Sequence, residues 1–144
     1  MTDALLGYGS RFAIDDEDSP TNYVEIAEVR SITPPSETID MIDATHMQSP
    51  DRRREFISGL IDGGEASFEM NFIPGNASDQ RLNVILNLAA GVSRRRSCKI
   101  TYPNGVYQIF DGELTGYEKT VPFDDRMGAT VTFKVTGAVT TFVT

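Results

Sequence analysis

The chain has 144 residues, with 21 acidic and 13 basic side chains and a net charge of −8. That is one domain's worth of chain, long enough to bury roughly two-thirds of its unfolded surface. With 40% hydrophobic and 24% charged residues, wholesale disorder is excluded, and the acidic excess excludes tight nonspecific wrapping of nucleic acid, which needs clustered Lys and Arg.

Residues 1–43 hold ten acids and two bases, so the whole excess sits in the first third. Within it, residues 11–14 and 23–32 read as strands, the second with Val24, Ile26 and Ile32 apolar. Asp15, Asp16, Glu17 and Asp18 lie between them. They lack the alternating ligands, central Gly and terminal Glu of a calcium loop, and read as a polar turn ending at Ser19-Pro20. Residues 33–64 contain Pro34, Pro35 and Pro50 and the run Arg52-Arg53-Arg54-Glu55. Apart from short extended pieces around 38–42, this stretch reads as a loop, and loops so long are usually functional or disordered.

Ala66, Phe68, Met70 and Phe72 alternate with Ser67, Glu69 and Asn71. Such a period of two marks a strand with one buried and one wet face. Leu82, Ile85, Leu86 and Ala89 fall at i, i+3, i+4 and i+7, so a helix is expected over about 78–90. Asn76 or Ser78 would cap it, Asp79 suits its first turn, and Gly91 would end it. Arg94, Arg95 and Arg96 follow, near the helix's negative end.

Residues 99–102 and 106–110 flank Pro103-Asn104-Gly105, a hairpin signal that fits a type I′ turn. Residues 114–120 continue the second arm, and Gly112 and Gly116 suggest a bulge or bend. Ala129, Val131, Phe133 and Val135 alternate with Thr130, Thr132 and Lys134 as a further strand, with a short strand or tail over 139–143. The order of elements predicts a mainly β, α+β domain over 1–144. It is a sandwich or barrel with one flanking helix and a long inter-strand loop.

Catalytic and metal chemistry find little support. His46 is the only histidine, in the long loop, and reads as a surface or contact residue. Cys98 is the only cysteine, which excludes an internal disulfide and a Cys-based zinc site and fits a reducing cytoplasm. It reads as a structural thiol, although neighbouring cations would favour its thiolate. Asp124-Asp125 sits between Pro122 and Gly128 and reads as a solvated turn rather than an acid–base pair. Gly63-Gly64 precedes a strand, not a helix, and so makes no phosphate cradle. No apolar run approaches the ~20 residues that span a bilayer, and the N-terminus carries no secretory signal. The arginine clusters lack interleaved aromatics for nucleic acid. They suit carboxylates better, either on another copy of the chain or within the same one.

The order of several segments is familiar. Ile32-Thr33-Pro34-Pro35-Ser36-Glu37-Thr38-Ile39-Asp40 is followed by Arg54-Glu55-Phe56-Ile57-Ser58-Gly59-Leu60-Ile61-Asp62-Gly63-Gly64-Glu65. Phe68-Glu69-Met70-Asn71-Phe72-Ile73-Pro74-Gly75 comes next, and the last strand closes in Lys134-Val135-Thr136-Gly137. Over roughly residues 10–137 the chain resembles the major tail tube proteins of long-tailed bacteriophages and related gene transfer agents. That resemblance implies a β-sandwich-like structural protein without catalytic residues, cofactor or metal. Its implied partners are other copies of itself, in stacked hexameric rings, with tape-measure and tail terminator or tip proteins. DNA would pass through the lumen only transiently, in a virion tail assembled in the bacterial cytoplasm.

On this reading the ring and stacking interface would draw on Arg52, Arg53, Arg54, Glu55, Phe56, Ile57, Leu60 and Asp62 of the long loop. Arg94, Arg95 and Arg96 would meet the acidic run Asp15, Asp16, Glu17 and Asp18. Ser67, Glu69, Asn71, Thr130, Thr132 and Lys134 are the candidates to line the lumen, which is expected to be net negative or neutral. The alternative is a ligand- or carbohydrate-binding β-sandwich module. It would need exposed aromatic platforms, and the chain has no Trp. A small acid-based hydrolase lacks its constellation.

Overall fold

A computed structural model describes residues 4–16, 19–88 and 95–143. Among the described residues nine strands and one α-helix form, in chain order, β1 (Arg11–Asp16), β2 (Ser19–Glu25), β3 (Val29–Thr33), β4 (Thr38–Asp43), β5 (Phe56–Asp62), β6 (Glu65–Asn71), α1 (Ala77–Leu86), β7 (Arg95–Thr101), β8 (Tyr107–Thr120) and β9 (Gly128–Phe142). Seven strands make one antiparallel sheet in the order β2-β1-β7-β8-β9-β6-β3. β4 and β5 pair only with each other.

The large sheet curls because only one of its faces is apolar. On β6 the buried residues are Ala66, Phe68 and Met70; on β9 they are Ala129, Val131, Phe133 and Val135. β1 adds Phe12 and Ile14, and β7 adds Cys98 and Ile100. Phe12 and Phe68 lie on strands that β7, β8 and β9 separate in the sheet, yet their rings meet at 4.4 Å. Phe133 stacks on Phe12 at 6.0 Å and Phe110 meets it edge-on at 6.4 Å. The Ile26 N–H donates to the Phe12 carbonyl at 2.9 Å, so the link between β2 and β3 closes over β1. The result is a sandwich-like sheet wrapped around its own apolar face.

The helix packs against this core through Leu82 and Ile85, which are fully or almost fully buried. Its cap is Asn76, whose side-chain oxygen accepts the Asp79 N–H at 2.9 Å. Ser78 instead accepts the Ala27 N–H at 3.1 Å and ties the helix to the β2–β3 link. α1 ends at Leu86 with Asn87 as C-cap. Asn87 and Leu88 are not helical, so the helix stops short of the expected end near residue 90; Ala89, Ala90 and Gly91 lie outside the described residues.

Several expectations need correction. Residues 23–32 are two strands, split at Glu28, whose φ of 56° is left-handed and breaks the extended run. The stretch 33–64 is no open loop: β5 was not expected, and it pairs with β4 as a hairpin with a 12-residue connection. The 103–105 turn is not type I′. Gly105 donates to the Tyr102 carbonyl at 3.0 Å and alone in the turn has a positive φ, +91°. Pro103 and Asn104 thus make a type I turn, and Gly105 supplies the left-handed residue that rejoins the strands. β7 begins at Arg95, so Arg95 and Arg96 are strand residues, not loop.

Residues 107–120 form one continuous strand, as do 128–142. The bulge near Gly116 is present, where pairing slips between Leu114 and Gly116. Gly112 serves another purpose. A Cβ there would come within 3.1 Å of the Phe133 Cβ, so its small size lets β8 and β9 approach.

Because Phe12 touches three other core rings, Phe12→Ala should cost about 3–5 kcal/mol of stability. Urea denaturation followed by circular dichroism measures it; a loss under about 1 kcal/mol would mean that the core recloses without the ring.

Candidate assembly surfaces

The β4–β5 hairpin exposes a dense set of large apolar side chains. Ile39, Met41, Ile42, Phe56, Ile57, Leu60 and Ile61 are all more than half exposed, Leu60 at 84%. The base is held by Asp62. Its carboxylate accepts the Gly64 N–H at 2.9 Å and lies 3.4 Å from the Lys134 ammonium. Those two contacts, the N–H first, hold its pKa below the usual carboxylate range. Gly64 has φ +69°, and a Cβ there would sit 2.5 Å from the Ser36 carbonyl oxygen, so only glycine fits this corner.

The hairpin's connection is ordered by its own polar groups. Glu55 N–H donates to Thr45 Oγ1 at 2.8 Å, and Ala44 N–H donates to the Glu55 carbonyl at 2.8 Å. Ser49 Oγ donates to Glu55 Oε2 at 2.7 Å, and His46 Nε2 approaches the same oxygen at 3.2 Å. His46 Nδ1 accepts the Gln48 N–H, which fixes the ring's orientation. Beyond this lock, Arg52, Arg53 and Arg54 stand exposed. Asp51 and Arg52 take positive φ values of 53° and 60°, which turn the backbone back on itself. The structure thus brings Arg52, Arg53, Arg54, Glu55, Phe56, Ile57, Leu60 and Asp62 onto one projecting element. The His46–Ser49–Glu55 lock was not foreseen. Its sequence signal, a Ser and a Glu six apart around Pro50, is too weak to read alone.

The second basic cluster is engaged within the chain. Arg95 Nη2 meets Asp111 Oδ2 at 2.7 Å. Asp15 is half-buried, which raises its pKa; a hydrogen bond from the Ser97 backbone and the charges of Arg96 and Arg81 oppose that rise. Asp16 belongs to β1 by its backbone. Glu17, Asp18 and Arg94 lie outside the described residues. Cys98 has no exposed surface, and burial, with Asp15 and Asp111 nearby, pushes its thiol pKa well up rather than down. Asp124 and Asp125 lie exposed in the β8–β9 turn, where Asp125 pairs with Arg126 at 3.8 Å.

The sheet's outer face is polar along its whole middle. Ser67 stands opposite Thr132 and Glu69 opposite Thr130. Lys134 lies between Glu65 on β6 and Glu113 on β8, and Glu118 continues the face beside Thr130. Asn71 also lies on it and donates to Glu28 at 3.3 Å. The six lumen candidates therefore share one surface, where Glu65, Glu69, Glu113 and Glu118 stand with Lys134, and where Asp111, Arg95 and Arg30 also lie.

The lambda phage tail tube protein family matches residues 7–141. The chain belongs to that family. Its role is accordingly structural, in a tail tube. No curated protein sequence matches it. Among solved structures, a tail of an empty gene transfer agent particle with C6 symmetry superposes with a TM-score of 0.77 at 17% identity, covering 97% of this chain and all of that one. A chain of the sheath–tube complex of an extracellular contractile injection system gives 0.76 at 12%, covering 99% and 93%. The SPP1 tail tube gives 0.70 at 8%, covering 96% and 78%. At such identities these likenesses show the tail tube fold alone.

One contact in this fold links its stability to pH. Tyr117 on β8 donates to Asp79 Oδ1 at 2.8 Å, while Gly75 N–H donates to Oδ2 at 3.0 Å. The Gly75 bond first, then Tyr117, hold the Asp79 pKa below its ordinary 3.8, and burial with the carboxylate contact raises that of Tyr117. A depressed native pKa gives stability that is present above the ordinary value and lost as pH falls from 3.8 through the native pKa. Asp79→Asn should therefore flatten the acid side of the stability–pH curve. Tyr117→Phe should cost about 1.5–3 kcal/mol at neutral pH, the usual contribution of a hydrogen bond to a charged group. Denaturation midpoints between pH 2.5 and 7 read both.

Proposed function

We propose that the chain assembles with copies of itself into six-membered rings that stack into a hollow tube, through which DNA leaves the particle. The observation that carries this is the β4–β5 hairpin, whose seven large apolar side chains are each more than half exposed in the single chain. Exposed apolar area on that scale marks an interaction surface. Family membership and the sixfold symmetry of a similar tail support the ring number. Stacking is a heterologous contact, repeated head to tail, and such contacts build filaments.

In this assembly the hairpin is the ring-to-ring clamp, with Phe56, Ile57 and Leu60 as anchors and Arg52, Arg53, Arg54 and Glu55 as its polar end. The outer face of β6, β8 and β9 lines the lumen. On those three strands Glu65, Glu69, Asp111, Glu113 and Glu118 outnumber Lys134, which makes that wall net negative, so it repels phosphates and lets DNA pass without adhering. Six copies at −8 each repel one another, so charge pairing between copies contributes to assembly. Tape-measure and terminator or tip proteins complete the tail, which assembles in the bacterial cytoplasm and ends as part of the virion. No catalytic step is assigned.

Purified protein should form tubes under negative stain, with ring stacking that weakens as salt rises. Replacing residues 39–61 by a short glycine-rich turn should leave a folded monomer that does not polymerise. Tubes from that variant would remove the clamp assignment, and a continuous basic stripe inside a tube reconstructed by electron microscopy would remove the lumen assignment.

A further inference from the structure

The Asn104-Gly105 pair in the β7–β8 turn combines an electrophile with an unshielded nucleophile. Asn104 is exposed, and its side-chain Oδ1 accepts the Val106 N–H at 3.2 Å. That bond reaches two residues along the chain, so the side chain lies folded across the Gly105 peptide unit. It also draws electron density from the side-chain carbonyl. Gly105 has no side chain to shield its nitrogen. Asn22, Asn71, Asn76, Asn83 and Asn87 are each followed by a residue that has one: Tyr23, Phe72, Ala77, Val84 and Leu88.

A second site shares the local geometry and has the opposite chemistry. Asp62 accepts the Gly64 N–H at 2.9 Å and is also followed by a glycine, Gly63. The Gly64 N–H first, then Lys134, keep Asp62 ionised. A carboxylate is a poor electrophile, because its negative charge is shared over both oxygens. Gly63 is also pinned, since a Cβ there would meet Val135 Cγ1 at 2.6 Å. Asn104 has a neutral amide instead, and its nitrogen can leave as ammonia.

We propose that Asn104 is a self-modification site, whose side-chain amide is attacked by the Gly105 backbone nitrogen and converted to aspartate and isoaspartate. The Gly105 nitrogen gives its proton to hydroxide and bonds to Asn104 Cγ. The Cγ–Nδ2 bond breaks, and Nδ2 takes a proton from water and departs as ammonia. Water then opens the cyclic imide. Attack at Cγ gives aspartate, and attack at the Asn104 main-chain carbonyl gives isoaspartate, so the net change is water in and ammonia out. The Gly105 N–H donates to the Tyr102 carbonyl at 3.0 Å, and that bond must open before the proton is lost, so the reaction is slow.

Either product adds a negative charge, and isoaspartate also adds a carbon to the main chain. The longer chain no longer fits a turn closed by Gly105 and by the Tyr102 N–H bond to the Val106 carbonyl at 2.8 Å. Asn104 also lines an apolar groove of about 700 Å³ with Leu5, Tyr8, Tyr102 and Val106, in which Arg30 is the only charged lining residue among those described. The new carboxylate gives that groove a second charge. The change is irreversible, so it marks a subunit's age, whatever the chain assembles into.

Purified protein incubated at neutral and at mildly alkaline pH, digested and read by mass spectrometry with electron-transfer fragmentation, tests this. Asn104 should convert at least about tenfold faster than Asn22, Asn71, Asn76, Asn83 or Asn87, because only its neighbour leaves the nitrogen open. Its rate should rise with pH, and heavy oxygen should enter from labelled water. Asp62 should remain aspartate. Conversion of Asn104 no faster than that of the other asparagines overturns the site. Isomerisation of Asp62 at the rate of Asn104 overturns the chemistry, since local geometry alone would then decide. Ion exchange should show an acidic species that grows with time in the unmodified protein and is missing from Asn104→Ser. The same species growing at the same rate in that variant would place the modification elsewhere in the chain.

Discussion

The contact between Phe12 and Phe68 is the constraint on which the rest depends. It joins two strands that have three others between them in the sheet, so it exists only if the sheet curls until its apolar face meets itself. Curling consumes that face entirely. What remains outside must then be polar, because no second sheet is left to cover it. The helix follows from the same closure: Leu82 and Ile85 complete the core, and the Asp79–Tyr117 bond fixes the helix's position over β8. The apolar side chains that the body still exposes, such as Leu6, Tyr8, Val121 and Phe123, lie in its N-terminal segment and its β8–β9 turn. Association draws on these and on the hairpin that projects from the body.

The sequence shows the sealed body well and the projecting element poorly, for a physical reason. β6 and β9 alternate strictly because one face is dry and one is wet, and period two is the readable trace of that asymmetry. β5 has no such asymmetry. Phe56-Ile57 and Leu60-Ile61 put apolar residues on both sides of a bulge, so neither a strand nor a helix period emerges. The same property that hides the strand from pattern reading makes it a contact surface. Glu28 and Gly137 illustrate a second limit. Glu28 separates β2 from β3 and Gly137 sits where the β8–β9 register shifts, each with a positive φ, +56° and +82°, and only glycine announces that tendency in its residue type.

The charged residues show a third limit, which is distance along the chain. Asp62 meets Lys134 and Arg95 meets Asp111 because sheet register sets them side by side. Composition showed acids in the first third and arginines elsewhere, and left open whether they pair within one copy or between copies. The fold answers differently for the two clusters. Arg95 and Arg96 lie in β7 and face Asp111 and Asp15 of the same chain. Arg52, Arg53 and Arg54 lie at the far end of the hairpin, away from the acidic strands. Partly exposed pairs such as Arg95–Asp111 add little to stability. Their effect is on specificity, since they neutralise one arginine cluster and leave the other as the basic feature of an acidic surface.

A two-stranded ribbon with bare edges and two apolar faces is also an aggregation hazard. The chain manages it with placed charges. Asp40 and Asp43 interrupt β4, Asp62 closes β5, and three arginines crowd the connection, so a second ribbon pairing in the antiparallel sense would bring like charges together at several points. Asp62 has a second duty, since its bonds to Gly64 and Lys134 anchor the ribbon's base to the body and fix the direction in which it projects. Indiscriminate pairing of hairpins is thus opposed by the same residues that aim each hairpin outward. What they do not oppose is insertion into a surface that is acidic and presents apolar recesses, and that description fits another copy of this body better than another copy of the ribbon.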